Sequence, residues 1–216
     1  MTTAALTIDT SNAVQILLLV GGLSLVPALL FVVTGFSRIL IVLGFIRTAM
    51  GTQSTPPNQV LVGIALFLTL FVMMPTVNAI KKTAWDPLEH HQISTTTAIS
   101  RAEQPLREFM FKQTGENELS LFVNLSKINT PQTEGQVPTY VLIPAFIMSE
   151  LKTAFEIGFL IFLPFLIIDL IVSSTLMSMG MVMLPPTFIS MPFKILLFVL
   201  VDGWDLIARA LVSSFH

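Results

Sequence analysis

The chain has no cysteine among its 216 residues, and only 11% of them are charged, against about 25% in soluble domains. Without cysteine there is no disulfide framework, no thiolate nucleophile and no zinc-finger spacing. The charges that exist nearly cancel, with 11 Lys and Arg against 13 Asp and Glu for a net charge of -2. Such a balance offers no basic face of the kind that grips nucleic acid, so a nucleic-acid partner is set aside. Also missing are the GxxxxGK[ST] phosphate loop, the HExxH metal helix and the GxSxG nucleophile elbow. His90 and His91 are adjacent, so on a helix they diverge by about 100° and do not converge on one metal. No catalytic residue, cofactor site or metal ligand emerges, and the expectation is a protein that is not an enzyme.

What is present is apolar: 53% of residues are hydrophobic, 17 of them phenylalanine. Four stretches approach the roughly 20 residues a helix needs to cross a bilayer: Ala13 to Phe36, Asn58 to Ile80, Phe155 to Met179 and Phe193 to Ser213. They predict an all-α protein of membrane type. An apolar N-terminal hairpin (1–80) and a C-terminal hairpin (141–216) flank a polar region (81–140). The short run ILIVLGFI, closed off by Arg38 and Arg47, reads as a continuation of the first helix or as an interfacial segment. In the polar region, AISRAEQPLREFMF reads as one or two short helices broken at Pro105. Arg38 and Arg47 in one short loop and Lys194 near the other place both hairpin turns in the cytoplasm. The polar region then lies outside. The first thirteen residues hold Asp9 and no Lys or Arg, so the basic leader that precedes a signal core is lacking. MGTQSTPPNQVLVGIALFL and MGMVMLPPTFISMPFKILLFVL echo each other, as transporter repeats do or as Pro-Pro punctuation alone would produce.

Ionisable groups within apolar stretches are expensive and default to functional hypotheses. Here they are Glu150, Lys152, Glu156, Asp169, Lys194, Asp202 and Asp205. Lys152 and Glu156 are four apart and share a helix face. Glu150 and Lys194 are expected to pair, within the chain or across a subunit boundary, unless each snorkels to water. Asp169 serves either a proton or ion path or a structural role, capping backbone or pairing with Arg209 or Lys152.

Met177, Met179, Met181 and Met183 alternate through STLMSMGMVMLPP, with Gly180 inside the run and Pro185-Pro186 ending it. Thioethers suit Cu(I), but no Cys or His accompanies them. They also serve as adaptable packing, although Gly and Pro-Pro argue that a helix ends here. The third reading is a compliant collar. Several copies around an axis would form a ring that seals against water yet deforms around a passing chain.

The segments FSRILIVLGFIRTAMGTQSTPPNQVLVGIALFLTLFVMMP, QPLREFM, SELKTAFEIGFLIFLPFLIIDLIVSS, MGMVMLPP and PFKILLFVLVDGWDLI resemble the FliP family of flagellar type III export-gate proteins. The likeness runs from about Thr34 to the end, and QPLREFM inclines it to the flagellar branch. It implies a ring of about five copies with FliQ and FliR, neighboured by FlhA and FlhB. Such a ring sits in the bacterial inner membrane at the flagellar basal body, with the polar region periplasmic. The implied activity is the passage of unfolded flagellar export substrates through an entry pore. Met179, Met181 and Met183 fall on the family's pore gasket, which Val182 interrupts here. Glu150 and Lys194 fall on charged positions suited to inter-subunit pairing. The alternative from the residues alone is a small-solute, proton or Cu(I) membrane transporter.

Overall fold

The computed structural model describes residues 21, 24, 28 and 30–215, apart from 53, 130 and 182. The expected apolar stretch 13–36 therefore lies largely outside the described residues, as does Val182. Seven helices are described: α1 (Phe36–Ala49), α2 (Asn58–Glu89), α3 (Thr95–Gln113), α4 (Glu116–Leu125), α5 (Thr139–Ser178), α6 (Pro186–Leu200) and α7 (Gly203–Ser213). No strand occurs among the described residues, in keeping with the all-α expectation.

The run too short to span a membrane is the centre of the protein. In α1, Ile39, Val42, Leu43 and Ile46 are completely or almost completely buried, because α5, α2 and α7 close around it. Its 14 residues make only about 21 Å of helix. The reading of ILIVLGFI as an interfacial segment or a continuation of the first helix is thereby corrected: it is a separate core helix. Gly51 follows at φ 76, the left-handed backbone that glycine adopts most cheaply just beyond a helix end.

Helix α5 carries 40 residues, about 60 Å, roughly twice a bilayer's hydrocarbon thickness. Its first half is core. Val141, Leu142 and Phe146 pack with Phe109 and Met110 of α3 and Val123 of α4, and Ala154 joins the α1 cluster. From Phe155 onward the helix also presents large apolar side chains outward, with Phe155, Phe159, Leu160, Ile167, Leu170 and Ile171 exposed. The third apolar stretch thus belongs to a helix that begins well before Phe155, at Thr139.

Two further boundaries differ from expectation. Helix α3 runs through Pro105 without a break, with its start capped by the Ser94 hydroxyl, which accepts from the Thr97 amide at 3.3 Å. Pro105 itself is buried, so packing outweighs the hydrogen bond its ring removes. The fourth stretch, expected as one span, breaks at Asp202, whose φ of 51 is left-handed. There α7 folds back and buries Ile207 and Leu211 in the α1 core.

Up to Ile80, helix α2 buries a single stripe, Leu61, Ala65, Thr69 and Met73, four residues apart. Phe67, Leu70, Phe71 and Met74 face outward. A helix apolar on all sides needs cover on all sides, and α2 and α5 are both long and apolar enough to cross a membrane.

Helices α1 and α5 approach closely where α5 has no side chain. A Cβ on Gly158 would stand 2.4 Å from the Phe45 ring, and that ring also meets Phe155 edge to face at 5.3 Å between centroids. Gly158→Ala is expected to cost about 1–3 kcal/mol through overpacking, read as a lower thermal midpoint by circular dichroism in detergent. Adding Phe45→Leu should recover part of the loss. A neutral Gly158→Ala would show that the two helices are not held this closely.

Candidate functional site: buried charges and a methionine loop

Two ion pairs are built into the helical packing, one fully buried and one with its carboxylate a quarter exposed, and neither is the one the sequence suggested. Arg38 on α1 and Glu150 on α5 are 2% and 1% exposed. The Arg38 Nε donates to Glu150 Oε2 at 3.0 Å and its Nη2 donates to Oε1, a two-point fork that fits guanidinium to carboxylate. The same guanidinium donates to Gln113 Oε1 at the end of α3 (3.0 Å) and to the Ser214 carbonyl after α7 (2.6 Å). The Phe215 ring lies 4.0 Å beneath it. One side chain thus ties α1, α3, α5 and the segment after α7 together.

The second pair joins α5 to α6. Lys194 Nζ donates to Asp169 Oδ2 at 2.6 Å, and Ser190 Oγ donates to Asp169 Oδ1 at 2.5 Å. Ser190, Lys194 and Phe198 form the buried face of α6, four residues apart. The ammonium also lies near the end of α1, 3.9 Å from where a Cβ on Gly51 would stand. Cations are favoured at such a C-terminus.

The expected Glu150–Lys194 pair is therefore corrected within the chain: Arg38 takes Glu150, and Asp169 takes Lys194. Asp169 pairs with neither Arg209 nor Lys152. Arg209 bridges Asp205 at 2.6 Å on the exposed face of α7, and Lys152 reaches Glu118 on α4 at 3.0 Å. Glu156 is exposed and makes no ion pair among the described residues. Arg38 is no loop charge, so the cytoplasmic assignment of its turn rests on Arg47 alone.

Arg38 and Ser190 are the residues the sequence reading missed, and both had a signal. Arg38 stands four before Val42, on the buried face of a helix. Ser190 stands four before Lys194. Ser149, also missed, donates nothing to a charge; its Oγ accepts the Gly115 amide at 2.9 Å and starts α4.

The methionine run ends α5 as a defined turn. The Met181 amide bonds the Leu176 carbonyl and the Gly180 amide bonds the Met177 carbonyl, both at 3.0 Å. With Gly180 at φ 75 this is a Schellman close. A Cβ on Gly180 would meet nothing within 4 Å, so the glycine is required by backbone conformation and not by crowding. Met179 and Met181 are 67% and 40% exposed, and Met183 is 96% exposed. Pro186 then opens α6 at its first turn, where a missing N–H costs nothing.

The described residues thus define a protein of helical membrane type, braced inside by buried ion pairs and carrying an exposed methionine loop at one helix end. The FliP family model matches residues 19–211, and the chain belongs to the FliP family. It is 55% identical to the flagellar biosynthetic protein FliP of Bacillus subtilis, covering 96% of this chain and 94% of that one. It is 53% identical to the FliP of Pectobacterium carotovorum over 94% and 79% of the two chains. It is 52% identical to that of Caulobacter vibrioides over 96% and 78%.

Removing one member of the Arg38–Glu150 pair strands a buried charge, which costs about 3–5 kcal/mol. Arg38→Met or Glu150→Leu should each lower the yield of folded protein sharply, and the double variant should recover most of it. Joint loss no smaller than the single losses would show that the pair is not the unit. The Glu118–Lys152 link gives a pH test. The hydrogen bond from Lys152 holds the Glu118 carboxyl below 4.5. Its contribution is complete above that value and is lost as pH falls through the lowered one. Glu118→Gln should therefore narrow the difference in thermal midpoint between neutral and acidic pH.

Proposed function

We propose that the chain is one protomer of the flagellar protein-export gate, a pore-forming part without catalytic activity. About five copies with FliQ and FliR make the ring, and FlhA and FlhB adjoin it. The ring stands in the inner membrane at the basal body, with the polar region on the periplasmic side. Unfolded flagellar subunits are its cargo. Membership of the FliP family and the membrane-type helices support this reading, and the observation that carries it is the methionine loop.

Met179, Met181 and Met183 project from a fixed turn at the end of a helix whose outer face is apolar and uncovered. Repeated around an axis, such turns bring unbranched, polarizable side chains together. They close against water and ions at rest and rearrange rotamers around a passing chain, without demanding any one sequence. The buried pairs hold the backbone beneath. Asp169–Lys194–Ser190 fixes α6 against α5, so that the loop between them deforms in its side chains while the hairpin stays put. The transporter alternative would need Asp169 free to exchange a proton or ion, whereas Lys194 and Ser190 engage both of its oxygens.

Met181→Ala with Met183→Ala is expected to leave assembly intact and to make resting cells leaky to small ions, measured as whole-cell or bilayer conductance. Unchanged conductance in a fully assembled double variant would refute the collar.

A further inference from the structure

The apolar run of α2 ends at Ile80, and the helix passes at once into a π-turn, Lys81–Trp85, before closing at Glu89. Such wide turns in a helix recur at functional sites. This one faces α3 across an open cleft of about 430 Å³ lined by Lys82, Thr83, Arg101, Gln104, Pro105 and Glu108. Lys82 and Arg101 are exposed, and neither makes an ion pair among the described residues. A second cavity of about 290 Å³ adjoins it through Ala79, Pro105 and Glu108 and continues along α2 past Val72 and Pro75. Trp85 closes the turn and is 62% exposed. Tryptophan of this kind gathers where hydrocarbon gives way to water.

We infer that the cleft holds the monoanionic phosphodiester headgroup of a lipid. Two cations and one carboxylate give the lining a net charge of about +1 at neutral pH. That matches a phosphodiester, which carries one negative charge, better than a free phosphate, which carries nearly two. Arg101 offers a forked pair of donors and Lys82 a point charge, and Thr83 and Gln104 add neutral donors. The position agrees: the cleft opens at the level where 23 apolar residues of α2 stop, and the cavity beyond it runs back between α2 (Val72, Pro75, Thr76) and α3, whose Glu108, Lys112 and Gln113 form its polar wall. Basic pockets between membrane helices bind anionic headgroups on the cytoplasmic side, and here the same charge pairing falls on the side of the polar region.

The test uses the full chain in neutral detergent, with bound lipid counted by native mass spectrometry. The probes are phosphatidylglycerol, phosphatidylcholine, soluble glycerophosphoglycerol and inorganic phosphate. Phosphatidylglycerol is expected to bind in clear preference to phosphatidylcholine, with glycerophosphoglycerol competing. Lys82→Gln and Arg101→Gln should each weaken binding about fivefold. Lys81→Gln removes the same charge one residue away, off the cleft, and should change little. Far-UV circular dichroism of each variant checks that it is folded. Equal binding of the two lipids, an equal loss in Lys81→Gln, or retention of phosphatidylglycerol by the folded Lys82→Gln/Arg101→Gln variant would overturn the site. Inorganic phosphate binding as well as phosphatidylglycerol would overturn the lipid as its source.

Discussion

A guanidinium buried at the centre of an apolar helix bundle has to be met on every side, and the rest of the fold follows from how that is done. Taking Arg38 and Glu150 out of water costs several kcal/mol for each ion, which their attraction offsets only when the remaining donors are also satisfied. Glu150 supplies the carboxylate from α5, Gln113 closes α3, and Ser214 and Phe215 come from beyond α7. Each partner lies on a different segment, so satisfying one residue fixes the mutual placement of four. No buried side-chain nitrogen or oxygen among the described residues lacks a partner. An arrangement that any one segment leaves is therefore one with a stranded charge.

The pairing inside explains the surface outside. With Arg38 spent on Glu150, and Lys194 and Ser190 on Asp169, what faces outward on α2 up to Ile80 and on the far half of α5 is almost wholly apolar. Lipid or neighbouring protein covers such surfaces equally well, since the gain comes from leaving water. At the end of that uncovered half of α5 the chain turns through Gly180, and the methionines stand out from a backbone that is itself locked. Rigid hairpin and soft side chains are thus separated along the chain, which is the division of labour a seal requires.

Much of this was legible in the sequence. Asn58 to Ile80 stands out as a helix because it is apolar throughout and follows Pro56-Pro57, and Gly180 with Pro185-Pro186 marks a turn by backbone chemistry alone. The charged residues in apolar stretches were recognised as special. Their partners were not, because Arg38 and Glu150 lie 112 residues apart and no local spacing links them. The central place of ILIVLGFI is hidden for a related reason: length tells whether a helix can span, but not which apolar helix the others surround. The break at Asp202 was hidden by the apolar residues on both sides of it. A left-handed Asp before Gly is a turn signal that hydropathy overrides.

In the proposed gate, the exposed methionine turns of neighbouring copies converge on one axis. Because the chain has no cysteine, a single Met183→Cys gives a clean reporter of that convergence in the assembled complex. On mild oxidation, Met183→Cys is expected to yield disulfide-linked dimers, while Ser120→Cys, exposed on α4, remains monomeric. An intact assembly in which Met183→Cys fails to cross-link, or links no better than Ser120→Cys, would contradict the collar and the gate built on it.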